Sequence, residues 1–187
     1  MSFLIRKITK SKWKNSNDPQ GCEELEISKL SSDAITSCLR TSKNALSFWE
    51  VSDISKESNL ENNIDLKNVI LALLTSSKSE DISTLDIVFF EKNEELLKEN
   101  GISLDKTDGD TIDDNLKSFH IDLCNLNHKN LTFIANTMCT CLNEEYHIRF
   151  TKNSLKELLK SHLQANMGLM PKLTPKLREK LGCLTAY

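Results

Sequence analysis

Three residues near the middle of the chain have the types and spacing of a metal half-site. His120, Cys124 and His128 follow one another at intervals of four. On one helix all three side chains share a face, and imidazole and thiolate are the ligands that zinc prefers. A helix break at Asn127 places His128 beyond the helix end, and no Cys-x-x-Cys pair occurs in the chain. We therefore predict no metal and no cofactor.

Two other groups of possible ligands are weaker. Cys139 and Cys141 stand near His147, but side chains two positions apart on a helix point about 200° apart. His162 falls on the leucine stripe of its own helix, where a packed histidine with one hydrogen bond is expected. Neither group predicts a metal site.

The acidic loop of residues 104–115 has the general appearance of a calcium loop around Gly109. Aligning this glycine with the invariant sixth position of such a loop puts Leu104 first, Lys106 third and Asn115 last, where carboxylates are needed. We interpret the loop as a solvated turn that leads into a helix.

Carboxylates elsewhere do not form a catalytic pair in the sequence. Asp86 and Glu91 flank the strongest strand pattern, but a separation of five places them on opposite faces of an extended chain. Asp33, Arg40 and Glu50 surround a predicted helix-to-strand turn, and we interpret them as a helix cap and surface charge.

Glycine spacing excludes several enzyme classes. The chain has five glycines, and the closest two are eight positions apart. A dinucleotide-binding loop, a Walker phosphate loop and a Gly-x-Ser-x-Gly nucleophile elbow are therefore absent. An enzyme remains the alternative only if its site is assembled from distant residues, as a pocket in which a cysteine or aspartate meets one of the four histidines.

The N-terminal segment and the cysteines indicate a compartment. Arg6 and Lys7 interrupt the apolar residues that follow Met1, whereas a secretory signal needs about 7–15 of them in a row. The longest apolar run, residues 69–74, is far shorter than the roughly 20 residues that cross a bilayer. We expect a cytoplasmic protein with no membrane association, in which the six cysteines are reduced thiols.

Charge is distributed unevenly along the chain although the total is −3. Residues 1–14 carry +5, residues 15–146 carry −14 and residues 147–187 carry +6. The basic ends can form a surface for nucleic acid or an acidic protein, or they can fold back on the acidic middle. Nucleic-acid binding is the less favoured of these, because the basic helices carry no interleaved aromatic residues.

Local patterns predict alternating strands and helices in residues 1–100 and mainly helices in residues 101–187. Strands are predicted near residues 3–8, 45–51 and 84–90, with a possible fourth at 146–150. Residues 116–126 and 131–142 are predicted to be helices. We predict a single compact α+β domain spanning residues 1–187, helix-rich, with a small sheet of three or four strands covered by helices. Its first half is compatible with parallel strand–helix–strand units.

The C-terminal segment is the best candidate for a partner-binding surface. Residues 167–173 are apolar but lack a helical or strand period, and a short amphipathic helix follows them. The predicted partner-binding residues are Met167, Leu169, Met170, Lys176, Leu177, Arg178 and Leu181. Packing of these residues within the molecule is the alternative.

By elimination, these observations favour a small cytoplasmic, non-enzymatic protein that binds another protein as an accessory, inhibitor or adaptor, through charged and Met/Leu-bearing surfaces. The alternatives are the assembled Cys/His/Asp enzyme and nucleic-acid binding by the two basic segments.

Overall fold

In the part of the chain that the structure describes, six strands form one sheet in which every neighbouring pair is antiparallel. The structure is a computed structural model and describes residues 2–18 and 20–182. The strands are β1 (Phe3–Ile8), β2 (Leu46–Val51), β3 (Leu85–Glu91), β4 (Ser103–Lys106), β5 (His120–Cys124) and β6 (His147–Phe150). Their order across the sheet is β4-β5-β2-β1-β3-β6.

Helices cover both faces of this sheet. The α-helices are α1 (Ser32–Cys38), α2 (Ile64–Leu74), α3 (Glu94–Glu99), α4 (His128–Asn143), α5 (Lys152–Ala165) and α6 (Pro175–Lys180). Short 3₁₀ helices span Lys10–Lys12, Asp114–Phe119 and Met167–Lys172. Side-chain oxygens of Ser31, Asn63, Asn93, Asn127, Thr151 and Thr174 cap the six α-helices, which is why each begins where it does.

Alternation along the strands divides the core in two. Ile5, Ile87 and Phe89 pack with α2, α5 and α6 on one face of the sheet. Leu4 and Phe48 pack with α1 and α4 on the other face. Since successive side chains of a strand point to opposite faces, the buried strands carry apolar residues on both sides.

The sheet is larger than the sequence predicted, so the expectation of three or four strands is wrong. The additional strands, β4 and β5, lie in the half predicted to be mainly helical. In β5, Ile121 and Leu123 are buried at alternate positions, which is a strand period within a segment whose leucines also fit a helix. The expected parallel units in the first half are also wrong, because β1 pairs antiparallel with both β2 and β3.

The thiols and the membrane prediction can be checked within the described residues. Cys22, Cys38, Cys124, Cys139 and Cys141 are free thiols, and Cys183 lies outside the described residues. Across residues 2–18 and 20–182, no helix combines the length and the apolar character that a membrane span requires.

Glu50 of β2 ties together three separate parts of the chain. Its carboxylate receives Lys92 Nζ at 2.6 Å and Ser2 Oγ at 2.9 Å, and Lys106 Nζ also contacts it. Burial alone raises the pKa of Glu50, but the hydrogen bonds from Lys106, Lys92 and Ser2 outweigh it and lower the pKa to about 2. Glu50 therefore anchors β2 to the start of β1 and to β4 rather than forming a polar group with Asp33 and Arg40.

We expect acid to remove the stabilisation that Glu50 provides. Because its folded-state pKa lies below the ordinary value of 4.5, its contribution is complete above pH 4.5 and is lost as the pH falls through about 2. The shift corresponds to about 3 kcal/mol at most. Urea unfolding between pH 7 and pH 2.5 should show Glu50→Gln destabilised at neutral pH and approaching the wild type in acid. Glu61→Gln, which alters an exposed carboxylate, is the control and should stay parallel to the wild type.

Candidate functional site

The two strands at the centre of the sheet, β1 and β2, separate from each other halfway along their length. They pair only through residues 3–5 and 49–51. Beyond that point β1 stays paired with β3 as far as Ile8, while β2 stays paired with β5 as far as Leu46. The sheet therefore opens between its central strands.

A cavity of about 380 Å³ lies at this opening. Residues 6–9 at the end of β1 form one wall, and Ser47 and Trp49 of β2 form the other. The ends of α1 and α2 contribute on opposite faces of the sheet, together with Asp110 and His120. We call this cavity the sheet cleft. Its volume is within the range of roughly 300–1,000 Å³ typical of small-molecule sites.

Arg6 bridges the opening. Alternation places it on the same side of β1 as the buried Leu4, a position where an apolar side chain is the rule. Its Nε and Nη2 donate to the Cys38 carbonyl at 3.0 and 2.7 Å, and its Nη1 donates to the Ser47 carbonyl. The guanidinium thus connects β1 to the end of α1 and to β2, where the backbone ladder is missing.

The charge of Arg6 has no directly bonded acid in the part of the chain that the structure describes. Burial lowers the pKa of Arg6 to about 10, while Cys38 and Asp122 act in the opposite direction, so the group stays protonated at neutral pH. Among the described residues, no carboxylate oxygen lies within the 4.0 Å of an ion pair. The ring of Phe48 lies 5.6 Å from the guanidinium carbon. Arg6 is therefore a cation held by carbonyl groups.

His120 is oriented by a chain of hydrogen bonds at the same cleft. Its Nδ1 lies 2.8 Å from the Thr107 hydroxyl, which donates to Asp122 Oδ2 at 2.8 Å. The Trp49 ring meets the imidazole edge-on, with the ring centroids 5.1 Å apart. Burial lowers the pKa of His120 below its ordinary value of 6.5, and Asp122 and a hydrogen bond to the Thr107 backbone oppose this effect only in part. The imidazole is therefore mainly neutral at pH 7.

The acidic loop closes one side of the cleft. A Cβ atom at Gly109 would lie 2.5 Å from the Trp49 ring, so only glycine allows the loop to approach this closely. Asp110 accepts hydrogen bonds from Ser76 Oγ at 3.0 Å and from the Ser77 amide at 3.3 Å. The loop is therefore packed in part against the protein, whereas the sequence predicted a solvated turn.

Cys38 and His120 lie on the same cleft without contacting each other by a hydrogen bond. The Cys38 sulfur accepts from the Thr9 amide at 3.3 Å and lies 3.5 Å from the Ser37 hydroxyl. The hydrogen bonding of His120 is directed to Thr107. The pocket expected for an assembled enzyme thus brings a cysteine and a histidine together, but not as a nucleophile and its base.

The possible metal half-sites do not assemble. His120 and Cys124 stand at opposite ends of strand β5, and His128 begins α4, so the shared helix face does not exist. Cys139 and Cys141 are buried in α4, and burial raises the pKa of each thiol to about 11. Within the described part of the chain, no three His, Cys, Asp or Glu side chains are placed to hold a metal ion.

Other residues singled out in the sequence have structural partners. His162 Nε2 lies 2.9 Å from Asp113 Oδ2 and joins α5 to the acidic loop. His147 Nε2 lies 3.2 Å from Lys10 Nζ. Asp86 is buried and lies 3.6 Å from Arg149 Nε. These contacts lie outside the sheet cleft.

The predicted partner-binding residues divide into two sets. Leu169, Leu177 and Leu181 are buried in the core beside α2 and α5, which is the intramolecular alternative. Met170 packs against the same core, whereas the Met167 side chain is 78% exposed. Their binding role stays a prediction that now depends on Met167 and the charged residues.

The basic C-terminal segment contacts the acidic middle of the chain. Lys176 pairs with Glu80 at 2.7 Å, and Lys180 pairs with Asp81 at 2.9 Å. These pairs and the Arg149–Asp86 contact are those expected if the basic end of the chain folds back on its acidic middle. They leave nucleic-acid binding as an untested alternative.

The residues at the sheet cleft come from β1, α1, β2, α2 and the acidic loop with β5. Sequence reasoning missed Arg6 as a site residue, although a charge between Leu4 and Ile8 in an alternating strand was the available signal. It considered His120 as a ligand on a helix and as one of the four histidines that an assembled enzyme site could use. Comparison of the chain with protein-family models, with curated proteins and with solved structures finds no match.

Proposed function

We propose that this protein binds a small anionic molecule in the sheet cleft, with Arg6 as the main contact. The observation that carries the proposal is a guanidinium at a core-facing position of a central strand, bonded to carbonyls and, within residues 2–18 and 20–182, to no carboxylate. Removing a cation from water is costly unless it is paired. Departures from the apolar pattern of this kind are expected at functional sites.

Arg6 has donors left for a ligand. A guanidinium carries five N–H groups, and three of them are used by the carbonyls of Cys38 and Ser47. Lys7 and Thr9 also line the cleft, and Lys7 adds positive charge. Charge-assisted hydrogen bonds of this kind favour phosphate or carboxylate groups.

Inorganic phosphate is a suitable first probe. Titration followed by amide NMR should produce saturable shifts at residues 6–9, at Ser37 and at Trp49, with an affinity in the millimolar range. The affinity should fall as the salt concentration rises. Shifts spread over the lysines of α5, or shifts that do not saturate, would contradict the proposal.

Removal of the negative charge of Asp110 is expected to strengthen anion binding. Its carboxylate lines the cleft and repels an anion, so Asp110→Asn is expected to tighten phosphate binding by about threefold. The asparagine Oδ1 can still accept from the Ser77 amide, and its Nδ2 can donate to the Ser76 hydroxyl oxygen, which preserves the loop. Asp108→Asn removes a neighbouring exposed charge that does not line the cleft and should change the affinity much less. Equal effects of the two variants would argue for nonspecific charge attraction.

A second function, binding of a partner protein, is favoured by Met167. This long apolar side chain is 78% exposed on the 3₁₀ helix Met167–Lys172. An open depression that includes Asp114 and Lys172 lies beside it. Flexible thioether side chains suit adaptable protein interfaces. An accessory or adaptor role through this surface therefore remains our second proposal.

The second function can be tested by comparative capture from a native lysate. A partner that binds this surface should be lost with Met167→Asp and retained with Ile64→Asp, which changes another apolar residue that is 66% exposed. An unchanged set of captured proteins in both variants would argue against Met167 as the contact.

A further inference from the structure

We infer that His120 accepts a hydrogen bond from a hydroxyl group of the bound anion, so that the ligand is a hydroxylated anion. This inference rests on the proposed anion site and adds a second point of recognition. The shared chemistry is a phosphate or carboxylate at one end and an alcohol O–H at the other, as in a sugar phosphate or a hydroxy acid.

The Thr107 hydroxyl determines which nitrogen of His120 carries the proton. The Thr107 hydroxyl lies 2.8 Å from Asp122 Oδ2 and 2.8 Å from His120 Nδ1. A hydroxyl has a single proton, and a carboxylate can only accept. Thr107 therefore donates to Asp122, and its oxygen accepts from His120 Nδ1. The proton of the neutral imidazole is on Nδ1.

The other imidazole nitrogen of His120, Nε2, is left as an acceptor. With Nδ1 protonated, Nε2 of the neutral ring carries a lone pair and can only accept. Among the described residues Nε2 makes no hydrogen bond, and its nearest acid, Asp122 Oδ1, is 4.0 Å away. Because two acceptors do not attract each other, Nε2 is available to a donor from outside the chain.

His120 is located at the sheet cleft and is held in place there. His120 lines the same cavity as Arg6. Gly109 lies against the Trp49 ring and against the Cβ of His120, so the loop restricts movement of the imidazole. An acceptor held in place loses little conformational freedom when a ligand arrives. A bare anion offers Nε2 only acceptors, whereas an alcohol offers it a proton.

Matched probes separate this inference from the anion site itself. Glycerol 3-phosphate and propyl phosphate carry the same charged group and differ in two hydroxyls. The wild type is expected to bind glycerol 3-phosphate about fivefold more tightly, the effect of one hydrogen bond. Glycerate and propionate form a second matched pair, and the pair that binds more tightly identifies the charged group as phosphate or carboxylate.

Two variants assign the preference to His120. His120→Phe keeps a ring beside Trp49 but removes the acceptor, so the ratio of the two phosphate affinities should fall to about one. Thr107→Val keeps the shape of that side chain but removes the hydroxyl that holds the His120 proton on Nδ1. The ratio of the two phosphate affinities should therefore fall at least partway towards one. Two-bond proton–nitrogen NMR of the wild type at pH 7 should show His120 protonated on Nδ1 and not on Nε2.

The outcomes are distinct for the two proposals. If neither phosphate compound nor either carboxylate binds at the cleft, the proposed function fails. If both members of a pair bind at the cleft with equal affinity, the anion site stands and the role of His120 is overturned. A preference that persists in His120→Phe, or a proton found on Nε2, also overturns it. If His120→Phe does not fold, the affinity ratio of Thr107→Val and the His120 tautomer measured by NMR test the role of His120 instead.

Discussion

Replacement of Arg6 by methionine is expected to lower the free energy of unfolding by about 2–3 kcal/mol, because hydrogen bonds to a charged group are lost and two carbonyls are left without donors. The affected carbonyls belong to Cys38 and Ser47. They lie where β1 and β2 have no ladder to replace the lost bonds. Urea unfolding of the two proteins at pH 7 measures the difference.

The neighbouring residue provides the control. Lys7 follows Arg6 on β1, is exposed and makes no side-chain hydrogen bond or ion pair within the described residues, so Lys7→Met should change the stability by less than about 0.5 kcal/mol. Arg6→Lys should recover only part of the loss, since one ammonium does not reproduce a planar fork that reaches two carbonyls. A variant Arg6→Met as stable as the wild type would mean that burial of the charge costs as much as its bonds contribute.

Substitution of Gly109 by alanine is expected to destabilise the protein by about 1–3 kcal/mol through overpacking. A methyl group there would lie 2.5 Å from one carbon of the Trp49 ring and 3.1 Å from the Cβ of His120. The loop or the ring must move, and either movement alters the environment of His120. Thermal and urea unfolding measure the stability, and the His120 ring signals report the displacement.

Gly168 is a matched site for the same substitution. An added Cβ at Gly168 would meet nothing within 4 Å, and its φ is not in the left-handed region. Gly168→Ala should therefore leave the stability within about 0.5 kcal/mol of the wild type. Equal losses at the two sites would show that the contact of Gly109 with Trp49 is not the cause.

Helix starts were the most predictable features of this chain. Ser31, Asn93, Thr151 and Thr174 are of the residue types that prefer the N-cap position, and each caps an α-helix in the structure. A cap depends on a side-chain oxygen and an amide two or three residues later, so the required information is local. Strand β3 was similarly clear, because the apolar residues on both of its faces lie within one short stretch of sequence.

Strands β4 and β5 could not be recognised in the same way. Residues 116–126 have leucines at spacings that fit a helix, yet His120–Cys124 pairs with both β2 and β4. A strand of five residues obtains its hydrogen bonds from partners far away in the chain, and here Leu46 pairs with Leu123. Pairing over that separation overrides a weak local preference.

The candidate site was even less accessible to sequence reasoning. Arg6 was noted for interrupting an apolar segment and as one of the basic residues 1–14, and neither Thr107 nor Asp122 was singled out. Their importance comes from the opening between β1 and β2 and from the two hydrogen bonds of the Thr107 hydroxyl. No spacing in the chain encodes either of these.

The sequence by itself determined where α1, α3, α5 and α6 begin, which phosphate-binding loops are impossible and that charge is segregated along the chain, because each of these depends on residue types at known positions. Only the tertiary structure decided the number and direction of the strands, the burial of Leu169, Leu177 and Leu181, and the placement of Arg6 and His120 at one cleft. Those features depend on hydrogen bonds and packing between residues that are distant in the chain, and such contacts form only when the sheet does.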